Sequence, residues 1–252
     1  TRDGLTVYGY LTLPRGMPPK NLPVVVMPHG GPDTRNSWGY NSEVQFLASR
    51  GYAVFQVNFR GSKGYGKDFW IAGFKEWGAK MQDDITDGVQ WLIEQKIADP
   101  SRIGIYGFSF GGFSALHGLM SSPELYRCGA SYSGFTNLFT YFKDIPPYFR
   151  PYLQMYYETV GNPESDADYF RAVSPVFHTD KIKVPVLIAQ GGRDPRVNMN
   201  ETHQFVKELK KKKVPVTYIF KEGEGHVFRN NENRLEFYKK LEIFLDQNLS
   251  RE

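Results

Sequence analysis

The positions of apolar and polar residues divide most of the chain into short strand-like runs and longer amphipathic stretches. Residues 5–13 alternate as an edge strand does, whereas residues 24–27 form a continuous apolar run typical of a strand buried on both faces. Further strands are predicted over residues 52–57, 102–106, 128–132, 184–190 and 216–220. Helices are predicted over residues 43–50, 81–95, 113–120, 200–212 and 234–248, the last with Leu235, Tyr238, Leu241, Phe244 and Leu245 on one face. Because strands and helices alternate, we predict an α/β fold with a doubly wound, mostly parallel sheet and helices on both faces.

The regular alternation breaks after Gly134. The following residues are crowded with aromatic side chains and interrupted by Pro146, Pro147 and Pro151, so the region near residues 135–175 is interpreted as an irregular helical insertion. Aromatic side chains at this density are typical of core packing, although some could line an apolar pocket. No repeat or linker divides the sequence, and residues 1–252 are predicted to form a single domain.

Composition and charge exclude several classes of protein. The chain has 252 residues, and its apolar content of 40% is enough to build a large core. A formal net charge of +4 is too small to suggest a nucleic-acid partner, and the lysines at 210–213 are interpreted as the solvated last turn of a helix. The single cysteine, Cys128, excludes an intramolecular disulfide and a cysteine-rich metal site.

The sequence carries no visible targeting or membrane signal. No apolar stretch reaches the roughly 18 residues needed to span a bilayer, so we expect no membrane partner and favour a cytoplasmic location. The chain starts at Thr1 and not at methionine, so the gene product could extend further and carry targeting information upstream. Homo-oligomerisation is left open by the sequence.

The most informative motif is the stretch Gly107-Phe108-Ser109-Phe110-Gly111. It fits the pattern G-x-S-x-G and lies between a predicted strand and a predicted helix, which is the setting of a nucleophile elbow. Glycines at 107 and 111 would permit a strained turn and a close approach of helix and strand. By itself the motif also fits a plain glycine-rich connection.

Two further residues fit the roles that a serine nucleophile needs. A serine hydroxyl requires a base to take its proton and an acid to orient that base. Asp194 follows the predicted strand at 184–190, and His226 follows the strand at 216–220. In such a sheet, active-site groups come from loops at the carboxyl ends of strands. Ser109, Asp194 and His226 therefore occur in the order nucleophile, acid, base that an α/β-hydrolase requires.

The remaining acids and histidines near these positions fit less well. They precede a strand, share the loop of the candidate base or lie within a helix without a partner motif, so we interpret them as structural or solvated. They are Asp180, Glu222, Glu224, His117, His178 and His203.

The sequence His-Gly-Gly-Pro at residues 29–32 follows the predicted strand at 24–27. In α/β-hydrolases an H-G-G-type turn at this position supplies a backbone N–H to the oxyanion hole, together with the N–H of the residue after the nucleophile. Gly31, or alternatively Gly30, and Phe110 are the candidate donors. A glycine suits this role because no side chain separates its amide from the substrate. His29 is interpreted as a brace for the turn.

Together these motifs resemble the catalytic domain of the prolyl oligopeptidase family, most closely its acylaminoacyl-peptidase and dipeptidyl-aminopeptidase-like branch. The resemblance rests on residues 29–32, 58–62, 64–66, 107–112, 194–197 and 224–228, and it extends from Asp3 to the C-terminal helix. It implies an α/β-hydrolase fold with a sheet of about eight strands. It also implies Ser109 as nucleophile, Asp194 as orienting acid and His226 as general base. By the same resemblance Arg196 would bind a substrate carbonyl; the alternative is a surface salt bridge.

The chain departs from the family pattern in three respects. Phe110 stands where the family usually has tyrosine, a change that leaves the backbone N–H available. No tyrosine beside Gly31 matches the side-chain oxyanion donor of some branches, which favours two amide donors. The N-terminal β-propeller typical of the family is absent from this chain, so we expect a fragment or a propeller-less relative.

The expected function is hydrolysis of peptide or acyl-amino-acid bonds through a Ser-His-Asp acyl-enzyme mechanism. The expected partner is a small peptide or acyl-amino-acid substrate, and no metal or organic cofactor is expected. A carboxylesterase that acts on small esters with the same triad is the alternative. A non-catalytic binding module of the same fold is the third hypothesis.

Overall fold

The computed structural model describes residues 1–250, whose strands form one sheet. Seven strands are found in this range: β1 (Tyr8–Thr12), β2 (Leu22–Val26), β3 (Ala53–Asn58), β4 (Ala98–Phe108), β5 (Cys128–Tyr132), β6 (Val186–Gly191) and β7 (Val216–Lys221). Their order across the sheet is β1-β3-β2-β4-β5-β6-β7. β1 pairs with β3 in the antiparallel direction, and every other pair is parallel. The predicted α/β fold with a mostly parallel sheet is confirmed.

The strand number corrects the count of about eight that the family resemblance implies. The sequence itself carries seven strand-type patterns, and each of them forms a strand. Residues 1–7 precede β1 and form no strand that could pair with it. β1 is therefore the edge strand on that side of the sheet.

Nine α-helices surround the sheet within the described part of the chain. They are α1 (Ser42–Ser49), α2 (Lys67–Ile71), α3 (Lys80–Glu94), α4 (Phe110–Ser121), α5 (Leu138–Lys143), α6 (Leu153–Thr159), α7 (Ala167–Val173), α8 (Met199–Lys211) and α9 (Asn231–Leu249). Two 3₁₀ helices, Pro147–Tyr152 and Pro175–His178, flank α6 and α7. The elements α5 to α7 and both 3₁₀ helices lie between β5 and β6, in the region interpreted as a helical insertion.

Two apolar layers cover the two faces of the sheet. Val24 and Val26 of β2 belong to the layer that contains side chains of α3, α4 and α8, whereas Val25 belongs to the layer that contains α1 and α9. Successive residues of a strand point to opposite faces, so a strand that is apolar throughout is buried from both sides. The predicted placement of helices on both faces is confirmed.

The buried face of α9 differs from the predicted one. Leu235 is 55% exposed, whereas Phe237, Leu241, Phe244 and Leu245 are buried. Positions 237, 241, 244 and 245 follow the i, i+4, i+7, i+8 spacing of one helix face, and Leu235 lies outside it. The prediction that Leu235 shares one face with Leu241, Phe244 and Leu245 is therefore wrong.

Candidate active site

Ser109 occupies a sharp turn between the end of β4 and the first residue of α4. Its backbone has φ 57° and ψ −119°, a left-handed conformation that is rare for a residue with a side chain. The Ser109 N–H donates to the carbonyl oxygen of Tyr132 at 2.9 Å, and the Ser109 carbonyl accepts from the N–H of Phe113 at 3.0 Å. These two bonds hold the strained residue between β5 and α4.

The glycines on either side of Ser109 are required by close backbone contacts. A Cβ on Gly107 would lie 2.2 Å from the carbonyl carbon and oxygen of Gly111. A Cβ on Gly111 would lie 2.2 Å from the carbonyl oxygen of Pro28. The G-x-S-x-G pattern is therefore a packing requirement of this strand, turn and helix.

Asp194 and His226 lie on the loops that follow β6 and β7, and the fold brings them together. Nδ1 of His226 lies 2.8 Å from Oδ2 of Asp194. The Asp194 side chain is fully buried, and its Oδ1 accepts from the backbone N–H groups of Arg196 and Val197 at 2.8 and 3.1 Å. A carboxylate held by several donors is fixed in orientation, so it also fixes the imidazole ring.

The second ring nitrogen of His226 is free. Nε2 is buried and makes no hydrogen bond within residues 1–250. Because an ionised carboxylate only accepts, Nδ1 of a neutral His226 carries the proton and Nε2 has a free lone pair. The ring packs 4.9 Å from the ring of Phe108, the residue before Ser109. This arrangement supplies a proton acceptor beside the serine turn.

The turn at residues 29–32 lies against Ser109. A Cβ on Gly30 would lie 3.5 Å from Cβ of Ser109. Gly31 has φ +123°, and a Cβ there would lie 2.8 Å from the backbone nitrogen of Asp33, so glycine is needed for both reasons. In the described chain the Gly31 N–H is engaged in no hydrogen bond. The N–H of Phe110, at the start of α4, has no acceptor within the helix.

His29 is held at this turn by two neighbouring side chains. It is buried, its Nε2 lies 2.8 Å from Oγ of Ser62, and its ring stacks on Phe59 at 4.3 Å. Burial lowers the pKa of His29 to about 4, so the ring is neutral at neutral pH. Thr34 Oγ1 donates to the carbonyl of Gly30 at 2.6 Å and also holds this turn.

Arg196 is exposed and lies beside the helical insertion. No ion pair of residues 1–250 includes its guanidinium, so the surface salt bridge considered as an alternative is not found there. Burial raises the pKa of Tyr141 and of Tyr156, and the nearby charge of Arg196 partly offsets that rise. The charge of Arg196 therefore lies near Tyr141 and Tyr156.

The other acidic and histidine side chains considered from the sequence form no hydrogen bond with Asp194 or His226 within residues 1–250. Glu224 is buried and accepts from the backbone N–H groups of Arg229 and Asn230 at 2.7 and 3.0 Å, so it shapes the loop ahead of α9. His117 is buried within α4, where burial lowers its pKa to about 3. Asp180, Glu222 and His203 are exposed, and His178 hydrogen bonds to a backbone carbonyl.

Two further buried polar residues, not predicted from the sequence, have partners at or near the site. Gln190 is fully buried, and its Nε2 donates to Oδ2 of Asp194 at 3.2 Å. The only signal was a polar residue at the end of the apolar strand β6. Glu201 on α8 is buried and accepts from the N–H and Oγ1 of Thr136 and from the N–H of Asn137 at the start of the insertion. Nothing in its local sequence distinguishes it from a solvated helix residue.

The described residues include neither a metal-type cluster of side chains nor a membrane-spanning helix. In the part of the chain that the structure covers, no cluster of three or more His, Cys, Asp or Glu side chains has the arrangement of a metal site. Over the same residues, no helix combines the length and apolarity that crossing a bilayer demands.

Comparison with known proteins gives consistent results. The sequence model of the prolyl oligopeptidase family matches residues 38–252. The chain is 42% identical to dipeptidyl aminopeptidase BIII of Pseudoxanthomonas mexicana, over 98% of this chain and 37% of that relative. A puromycin-hydrolyzing peptidase of Mycobacterium tuberculosis superimposes with a TM-score of 0.90 at 30% identity, over 98% of this chain and 38% of that chain. The acylaminoacyl peptidase of Pyrococcus horikoshii superimposes with a TM-score of 0.87 at 27% identity, over 98% of this chain and 40% of that chain. The chain thus spans little more than a third of its curated relative.

Proposed function

This chain belongs to the prolyl oligopeptidase family of serine peptidases, and on that premise we propose that it hydrolyses peptide or acyl-amino-acid bonds through Ser109, His226 and Asp194. The observation that carries the proposal is the 2.8 Å contact of Asp194 with His226, which leaves a buried Nε2 without a partner beside the Ser109 turn. A free imidazole nitrogen on a ring that packs against Phe108, the residue before a serine on a strained elbow, fits the removal of the hydroxyl proton.

In the first step Oγ of Ser109 attacks the carbonyl carbon of the substrate, and its proton passes to Nε2 of His226. The imidazolium that forms is stabilised by the buried carboxylate of Asp194, which already accepts from Nδ1. The negative charge that develops on the substrate oxygen is bound by the N–H groups of Gly31 and Phe110. Each well-placed donor contributes about 3–4 kcal/mol to transition-state stabilisation.

In the second step His226 returns its proton to the leaving group, and the C–N bond breaks. Water then attacks the acyl-enzyme with His226 as base, and release of the acid restores Ser109. Arg196, exposed and free of ion pairs within the described residues, is proposed to bind another carbonyl of the substrate.

The names of the similar proteins support the substrate class. One relative is named a dipeptidyl aminopeptidase and one structural neighbour an acylaminoacyl peptidase. Because the chain spans little more than a third of that first relative, we propose the substrate class as short peptides or acyl-amino acids and name no single substrate.

The test compares Ser109→Ala with the matched control Ser114→Ala on the same helix. Turnover is measured with an N-acetyl-amino-acid p-nitroanilide, a dipeptide p-nitroanilide with a free amino terminus, and p-nitrophenyl acetate. We expect Ser109→Ala to lose at least about 10⁴-fold in kcat on every substrate that the parent chain cleaves, while Ser114→Ala keeps its activity. Cleavage of the acetate alone by the parent chain would favour a carboxylesterase. Full activity of Ser109→Ala would overturn the proposed nucleophile.

A further inference from the structure

Tyr132, the last residue of β5, contacts both the turn that carries Ser109 and the loop that carries His226. Its strand lies between β4, which leads to Ser109, and β6, which leads to Asp194. The Tyr132 residue is buried. The hydrolytic steps described above use neither its ring nor its hydroxyl group.

The backbone and ring of Tyr132 hold the Ser109 turn. The Tyr132 carbonyl oxygen accepts from the Ser109 N–H at 2.9 Å. Tyr132 also pairs with Phe108 across the parallel strands, and the two rings pack edge to face with centroids 5.3 Å apart. Because Ser109 has a strained, left-handed backbone, its conformation depends on restraints of this kind.

The side chain of Tyr132 holds the base loop, which is residues 222–230 between β7 and α9. Its hydroxyl oxygen accepts from the N–H of Phe228, two residues after His226. The Tyr132 and Phe228 rings pack edge to face with centroids 4.9 Å apart. Within residues 1–250 this N–H has no other acceptor. Because a buried N–H without an acceptor is unfavourable, loss of the hydroxyl would favour movement of this part of the loop.

Other hydrogen bonds tie the base loop to the acid and not to the nucleophile. The carbonyl of Glu224 accepts from the N–H of Arg193 at 2.8 Å, and Nδ1 of His226 lies 2.8 Å from Oδ2 of Asp194. The His226 ring also packs against β4, but apolar packing is non-directional. The Tyr132 hydroxyl therefore supplies a directional link between the base loop and the strand that holds Ser109.

We propose that Tyr132 is a positioning residue that holds the base loop in register with the Ser109 turn. This rests on the proposed hydrolytic function, in which Oγ of Ser109 passes its proton to Nε2 of His226. Such a transfer needs the two atoms within about 2.6–3.2 Å, and a misplacement of about 1 Å can cost about 10²-fold in rate. Burial raises the pKa of Tyr132 to about 12, so the phenol stays neutral while the histidine acts as base.

The test is Tyr132→Phe, which removes the hydroxyl and keeps the ring. We expect kcat on p-nitrophenyl acetate to fall at least about fivefold with KM changed less than about twofold, because the base moves and the substrate contacts do not. Hydrogen exchange, followed by mass spectrometry, should become faster in peptides that cover residues 224–230 and stay unchanged in peptides of α4. Circular dichroism checks that the variant is folded.

Tyr126→Phe is the matched control. Tyr126 is also buried, and its hydroxyl makes no hydrogen bond within residues 1–250. Removal of this hydroxyl should leave kcat, KM and the exchange of the base loop unchanged. An equal effect in the two variants would overturn the proposal, because loss of any buried hydroxyl would then produce it.

The remaining outcomes separate this proposal from the function on which it rests. A loss in kcat smaller than about fivefold, or unchanged exchange in the base loop, overturns the role of Tyr132 while the parent chain stays active. A rise in KM without a loss in kcat also overturns it, because the side chain would then act on substrate binding. Failure of the parent chain to hydrolyse any ester or peptide overturns the hydrolytic function, and this role with it.

Discussion

Nδ1 of His226 and Oδ2 of Asp194 are 2.8 Å apart, although 32 residues separate them in the chain. The carboxylate has no exposed surface, and the histidine side chain is 11% exposed. The close packing of the two loops maintains this contact: a Cβ on Gly191 would lie 2.2 Å from the carbonyl oxygen of Gly225. The carboxyl ends of β6 and β7 therefore present one rigid acid–base pair.

Asp194→Asn is expected to leave the fold intact and to lower kcat about 10⁴-fold. An amide can turn its NH₂ toward Nδ1, which then loses its proton and moves the hydrogen to Nε2, where it blocks the base. The measurement is kcat on an activated ester together with the circular dichroism spectrum. A loss smaller than about tenfold would show that Asp194 does not orient the base.

Gly31→Ala tests the oxyanion turn. A Cβ at this position would lie 2.8 Å from the backbone nitrogen of Asp33, so the turn has to move and the N–H donor moves with it. We expect kcat to fall about 10²–10³-fold with a small change in KM. Gly39→Ala is the control, because Gly39 also has a positive φ but has no atom within 4 Å of the added Cβ. Equal losses in both variants would count against Gly31 as a donor.

The site could be predicted from the sequence where it depends on local order. Ser109, Asp194 and His226 each follow a strand whose apolar run is visible, and parallel strands bring their carboxyl ends to one edge. Gln190 and Glu201 could not be predicted in this way, because their roles depend on partners that only the folded chain brings close. The exposure of Leu235 could not be predicted for a similar reason. The sequence pattern does not show which face of α9 packs against the sheet.

The role of Asp84 also depends on a partner that only the folded chain brings close. This pairing leads to a prediction about stability. It lies near the start of a predicted helix, where an acid complements the dipole, but it is buried and pairs with Arg60 through Nε at 2.9 Å and Nη2 at 2.6 Å. Arg60 also pairs with Asp3 at 2.7 Å, so Asp84→Asn removes one of its two carboxylate partners and should lower the free energy of unfolding by about 1–3 kcal/mol. Arg60→Met combined with Asp84→Leu should cost less. Urea unfolding of the parent chain, Asp84→Asn and the double variant measures the two losses of stability. An equal or larger loss for the double variant would contradict this interpretation.

The raised pKa of the buried Glu201 predicts that the stability of the protein depends on pH. Burial raises its pKa from 4.5 to about 7, so the folded protein keeps a proton that the unfolded chain has already lost. Its contribution to the free energy of unfolding is therefore present at low pH and is lost as the pH rises from 4.5 to about 7. Glu201→Gln lacks this titration, so the variant should gain stability relative to the parent across that interval. A difference between the two chains that stays constant with pH would contradict the prediction.

The most direct test of the central claim is to locate the residue that reacts with a fluorophosphonate probe. The probe forms a covalent bond only with a serine whose proton is removed by a neighbouring base, and peptide mass mapping identifies that serine. We expect one adduct on Ser109, no labelling of Ser109→Ala, and labelling of Ser114→Ala equal to that of the parent chain. An adduct on another residue, or a folded parent chain that does not react, would contradict the assignment of Ser109 and His226 as nucleophile and base.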